Sequence, residues 1–142
     1  MATTPEGKVK EKVRADFRAH GTFYEGNTAS SMGTNGAPDF RCCRQSDGHY
    51  GGVETKAGTW KVSALQRVRL EKLGASMGSA MVINESNLDL LTKWLDAPGW
   101  RIIAVINDKD VCTHHLAVRM DGTGVTKIEN PPVSKTKRVK GP

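Results

Sequence analysis

The sequence predicts a single α/β domain built on a mixed sheet, and three features predict it. The N-terminal segment repeats apolar residues every four positions, at Val9, Val13 and Phe17, which makes one buried stripe on a helix. Two short runs, Phe40 to Arg44 and Tyr50 to Lys56, flank a turn-prone Ser46-Asp47-Gly48 and read as a β-hairpin. A helical segment from Ser63 to about Leu73 and a buried apolar run from Ser79 to Asn84 follow it, and a strand–helix–strand order joins parallel neighbours. At 142 residues, one compact domain is expected. The expected core is α-β-β-α-β-α over residues 1–98, with a β-meander appended over 99–130 and a flexible basic tail over 131–142.

Taken in order, Thr4-Pro5 suits a helix start, with Thr4 as N-cap and Pro5 in the first turn, and Gly21 suits its end. Thr22 to Glu25 can form a short strand, and the small polar residues between Gly26 and Gly36 form a loop. Gly51-Gly52 inside the second hairpin strand signals either a bulge or a close backbone approach. Ser63 caps the second helix and Gly74 is expected to end it. Leu88, Leu91 and Leu95 give a third helix, stopped at Pro98-Gly99. Arg101 to Asn107, Val111 to Met120 and Val125 to Ile128 then form the meander, which either completes the sheet or makes a dimer surface.

The net charge of +6, with a pI near 9.4, favours a polyanionic partner, most simply nucleic acid. No apolar run is long enough to span a membrane, and no basic-then-apolar leader opens the chain. Cys42, Cys43 and Cys112 lack CxxC spacing, which points to reduced thiols and a cytoplasmic location. Adjacent residues on a strand face opposite ways, so neither Cys42-Cys43 with His49 nor His114-His115 forms a metal cluster. No small-molecule organic cofactor is expected.

The hairpin also predicts a site. Glu54 and Lys56 are two apart on a strand and so share a face. Folding the hairpin returns Asp39, at the start of the first strand, to the end of the second. Two carboxylates and an ammonium then converge. Neighbouring carboxylates repel unless a divalent cation lies between them.

Gly36-Ala37-Pro38-Asp39 is a G-x-P-D sequence, Glu54-Thr55-Lys56 is E-x-K, and Lys61, Ser63 and Gln66 make K-x-S-x-x-Q. This ordered set resembles the VRR-NUC branch (virus-type replication-repair nucleases) of the PD-(D/E)xK nuclease superfamily, and a helix opened by Glu6 fits the same branch. The resemblance spans roughly residues 5 to 95. It implies a restriction-endonuclease-like fold and Mg²⁺ or Mn²⁺ held by Asp39, Glu54 and the Thr55 carbonyl. It also implies that Lys56 handles the attacking water, that Gln66 faces that water or the scissile phosphate, and that Glu6 assists. Lys61, Ser63, Arg67, Arg69 and Asn27 are candidate nucleic-acid contacts. Each position has a plainer reading as well. Ser63-x-x-Gln66 is a capping box, Glu6 complements the helix dipole, Lys56 pairs with Glu54, and Trp60 either packs or stacks a nucleobase.

The implied activity is a metal-dependent DNA endonuclease, resembling Holliday-junction resolvases that act as homodimers. The alternatives are a nicking or flap nuclease without junction preference, a noncatalytic DNA-binding protein on the same fold, and an RNA-binding protein that uses the basic tail.

Overall fold

The structure is a computed structural model that describes residues 4–27 and 36–133. Two expectations lie outside those residues: the polar loop donors at 28–35, and the basic cluster of Lys135, Lys137, Arg138 and Lys140. The element order is α1 (Pro5–Ala19), β1 (Phe23–Gly26), β2 (Phe40–Cys43), β3 (Tyr50–Thr55), α2 (Ala64–Ala75), β4 (Ser79–Ile83), α3 (Leu88–Leu95), β5 (Trp100–Ile106), β6 (Cys112–Arg119) and β7 (Val125–Glu129).

Helix α1 starts where the Thr4 hydroxyl accepts the Gly7 N–H at 2.9 Å. It ends in a Schellman closure, in which Gly21 takes a φ of 63° and the Thr22 N–H returns to the Phe17 carbonyl at 2.9 Å. Its stripe of Val9, Val13 and Phe17 is buried. That stripe packs with Phe40, Val53, Met81, Ile83 and the α3 residues Leu91 and Trp94 in one core.

The first sheet has the order β1-β2-β3-β4, with β1/β2 and β2/β3 antiparallel and β3/β4 parallel. Helix α2 makes the crossover between the parallel pair. The core is therefore α-β-β-β-α-β-α rather than α-β-β-α-β-α. The extra strand is Phe23–Gly26, which runs in register with β2 from Phe23↔Cys43 to Gly26↔Phe40. With four largely exposed residues, it carries almost no alternation to announce it.

The hairpin turn is fixed by a buried ion pair. Arg44 is fully buried and donates to both Asp47 carboxylate oxygens, at 2.9 and 2.8 Å, and to the Trp94 carbonyl at 3.1 Å. Those hydrogen bonds hold the Asp47 carboxyl far below its usual range.

Gly51 and Gly52 pair in regular register, so there is no bulge. The close approach is the correct reading. A Cβ at Gly51 would stand 2.7 Å from Trp94, and one at Gly52 would stand 2.7 Å from Leu73 and 3.0 Å from Pro38. Helices α3 and α2 thus press on β3 from either side.

Gly74 does not end α2. The helix runs to Ala75 and closes over Ser76, with Met77 at a φ of 72°. The Gly74 carbonyl accepts from the buried Arg101 guanidinium at 3.0 Å, as does the Gly78 carbonyl. A cation at a helix C-terminus is favourably placed.

The meander forms its own antiparallel sheet, β5-β6-β7. It does not extend the first sheet by a ladder but docks on β4 through side chains. The Ser79 hydroxyl accepts the Ile102 N–H at 3.0 Å, and the His115 Nε2 accepts the Val82 N–H at 3.1 Å. The segment expected to leave the body at residue 131 is still held there. The Pro131 carbonyl accepts the Trp60 indole N–H at 3.0 Å and the Pro132 carbonyl accepts the Ser86 hydroxyl at 3.3 Å.

Candidate active site

The site forms where α1, the end of β3 and the start of α2 meet. Asp39 immediately precedes β2. Its Oδ2 accepts the Thr55 N–H at 2.8 Å and the Thr55 hydroxyl at 2.6 Å. Thr55 lies between Glu54 and Lys56, so these bonds fasten Asp39 to the end of β3. The sequence offers no sign of this role for the Thr55 hydroxyl. The Asn27 N–H donates to the Asp39 carbonyl at 2.7 Å, which ties the strand β1 side to the same residue.

Glu54 is 2% exposed, and its Oε2 lies 3.8 Å from the Lys56 ammonium, so the two share a face as the spacing predicts. Burial pushes the Glu54 carboxyl up to about 8, the nearby charges of Asp39 and Glu6 adding to the rise and Lys56 and Lys10 opposing it.

Gln66 closes the helix cap and also reaches the Glu54 carboxyl. Its Oε1 accepts the Ser63 N–H at 2.8 Å, while the Ser63 hydroxyl accepts the Gln66 N–H at 3.0 Å, completing a capping box. Its Nε2 donates to Glu54 Oε2 at 2.8 Å. The helix cap therefore aims an amide donor at the buried carboxyl.

Glu6 reaches the site indirectly. The Lys10 ammonium stands 3.7 Å from Glu6 Oε2 and 3.7 Å from Asp39 Oδ1. Lys10 is a site residue that the motif does not contain. Its signal in the sequence is the four-residue spacing from Glu6, which stacks the two on one helix face.

The donors gathered here are carboxylate and carbonyl oxygens, with no thiol or imidazole among them, which suits a hard cation such as Mg²⁺ or Mn²⁺. Among the described residues no group of three or more His, Cys, Asp or Glu side chains forms a metal cage. Two carboxylates and a backbone carbonyl match an ion that keeps several waters. A buried carboxyl beside a second carboxylate gives up its proton readily only when a cation lies between them, so the raised Glu54 suits a metal there.

No family model and no curated protein matches the chain. A solved structure described as a VRR_NUC domain is similar, with a TM-score of 0.54 and 21% identity, over 68% of this chain and 99% of that one. The chain has the VRR-NUC domain fold. The match takes in nearly all of the solved VRR-NUC domain and leaves about a third of this chain outside it.

Around this VRR-NUC core the remaining candidates separate. Arg67 is paired with Glu71 at 3.2 Å and Asp110 at 3.3 Å, and the Lys61 ammonium donates to the Lys109 carbonyl at 3.2 Å. Both charges are turned toward neighbouring protein groups. Arg69 is exposed on α2. Trp60 packs edge-on against His115 and beside Val62, so its reading as core is the one observed. Cys42 is buried and Cys43 exposed, on opposite faces as expected.

Proposed function

We propose that this chain is a metal-dependent DNA endonuclease. The observation that carries the reading is the junction of Asp39, Glu54, Lys56 and Gln66 at one end of β3, with a buried Glu54 carboxyl that favours its neutral form. Asp39, Glu54 and the Thr55 carbonyl would hold Mg²⁺ or Mn²⁺, which when bound neutralises phosphate charge and acidifies water. Gln66 fixes the Glu54 rotamer through its amide. Lys56, beside Glu54, orients the attacking water and stabilises negative charge building on the phosphorus oxygens. The protein's net charge of +6 favours a phosphodiester polyanion over a neutral substrate.

A homodimer acting on branched DNA is the assembly we favour, since two-fold symmetry presents two sites to a symmetric junction. The test is a digest of four-way junction, flap and linear duplex with Mg²⁺ or Mn²⁺, against an EDTA control. Cutting should require metal and fall by at least about a hundredfold in Asp39→Ala, the scale lost with a principal electrostatic group. Equal cutting of all three DNAs would favour a nicking or flap enzyme. Full activity in Asp39→Ala would overturn the site.

A further inference from the structure

Lys10 stands where the site would otherwise have a gap. It projects from α1 one turn after Glu6, and its ammonium lies 3.7 Å from both Glu6 Oε2 and Asp39 Oδ1. Its side chain is only 33% exposed, and that of Asp39 only 20%, so the pair is partly shielded from water. The other Asp39 oxygen, Oδ2, is consumed by the two donors of Thr55. Oδ1 is thus the oxygen left to face a cation, and Lys10 already faces it.

We propose that Lys10 is a tethered counter-ion of this site, which partly offsets the charge of Asp39 and Glu6 in the metal-free protein and competes directly with a divalent cation for Asp39 Oδ1. The inference rests on the metal-site reading above. A positive charge held at that distance screens the carboxylates and repels an incoming dication. A flexible four-carbon stem with a hydrated head can withdraw, which a rigid Arg fork paired on two carboxylates does less readily. The helix makes the arrangement self-consistent, because Glu6 and Lys10 are neighbours on one face whether or not Asp39 is free. Loss of the Lys10 contact on binding sets part of the affinity: the ion must repay the ion pair it displaces. The site therefore selects for divalent over monovalent cations, since only the larger charge outcompetes the resident ammonium.

The experiment is a Mn²⁺ titration without DNA, read by the free-Mn²⁺ electron paramagnetic resonance signal and by calorimetry, on the full chain. Lys10→Met should bind Mn²⁺ at least about threefold more tightly than the wild type, and Lys10→Arg, which withdraws less readily, should bind it no more tightly than the wild type. In an Asp39→Asn background, Lys10→Met should bring no gain. Circular dichroism checks that each variant is folded. Unchanged or weaker Mn²⁺ binding in a folded Lys10→Met, with the wild type binding in an Asp39-dependent way, overturns the competition and leaves the metal site standing. Absence of Asp39-dependent binding in both proteins sinks the metal site, and this inference with it.

Discussion

Glu54 is a carboxyl with almost no water around it. Its folded pKa of about 8 lies above the unfolded value of 4.5. The folded state therefore binds the extra proton between those values, and without a divalent ion stability falls as pH rises through that window. Glu54→Gln should remove this slope. In EDTA, thermal melts from pH 5 to 9 should show the wild type losing several degrees that the variant keeps, and added Mg²⁺ should restore the wild type but not the variant. Parallel slopes in the two proteins would show that Glu54 is not the titrating group. Gln66 adds a second test at this scale. Gln66→Leu loses the acceptor for the Ser63 N–H and the amide to Glu54, and should cost about 1–2 kcal/mol in denaturant melts together with a large loss of cutting. Gln66→Glu keeps the cap acceptor but sets a carboxylate on Glu54, so it should retain helix content and still lose cutting. Retained cutting in that variant would argue that capping alone is the role of Gln66.

At the scale of elements, β3 is the member on which the others converge, and its two glycines differ in consequence. A methyl at Gly51 would meet the fully buried Trp94 ring, which has no room to move. Gly51→Ala should therefore destabilise by about 1–3 kcal/mol through overpacking. A methyl at Gly52 would meet the flexible end of Leu73, and Pro38 immediately before Asp39. Gly52→Ala should unfold less easily than Gly51→Ala yet cut DNA more weakly, because the shift is delivered to Asp39. Urea melts and cleavage rates on the two variants decide this, and equal effects on both measures would remove the distinction. The same elements show what the sequence makes legible. Periodicity locates α1, the Asp-Gly turn locates the hairpin, the Ser63 cap locates α2 and a continuous apolar run locates β4, and the two-residue spacing of Glu54 and Lys56 places both on one face. What escapes is set by single contacts across the fold. The short strand expected at Thr22 to Glu25 forms as β1, but its place in the sheet comes from pairing with β2, which its own pattern does not announce. Gly74 looks like a helix stop, but the left-handed turn falls three residues later at Met77, where the Gly78 N–H returns to the Leu73 carbonyl. Lys10 belongs to the site only because the hairpin brings Asp39 up to α1.

Among the described residues the two sheets share no ladder, and their joint combines apolar packing of Ala80 and Val82 on Ala104, Ile106 and Cys112 with a few buried polar bonds. The Ser79 hydroxyl takes the Trp94 indole N–H and the Ile102 N–H, both at 3.0 Å, and contacts His49 Nε2 at 2.9 Å, so one side chain links β4, α3, β5 and the hairpin turn. At the other end His115, with no exposed surface, accepts the Val82 N–H at Nε2 and holds Asn130 Oδ1 at 2.8 Å from Nδ1. The Nδ1–H tautomer satisfies both contacts. Asn130 in turn donates to the Cys112 carbonyl at 2.8 Å, which fixes the end of the described chain against the second sheet. Protonation at Nε2 would place a donor against the Val82 donor. Burial accordingly lowers the His115 pKa to about 4, below its usual 6.5. The unfolded chain then binds more protons between those values, so stability is full above about 6.5 and is lost as pH falls toward 4. This slope is opposite in sign to that of Glu54, and the two are separated by substitution. In a Glu54→Gln background, melts from pH 7 to 4 should lose about 3 kcal/mol that a His115→Gln partner variant does not lose, even if that variant is less stable at pH 7. Hydrogen exchange should place the acid opening first at the Val82 and Ile102 amides, because the Val82 bond ends on the His115 ring itself and the Ile102 bond joins the same two layers. Exchange that begins instead in β1 would show that acid opens the outer edge of the first sheet, and that the joint between the sheets is not the weak point.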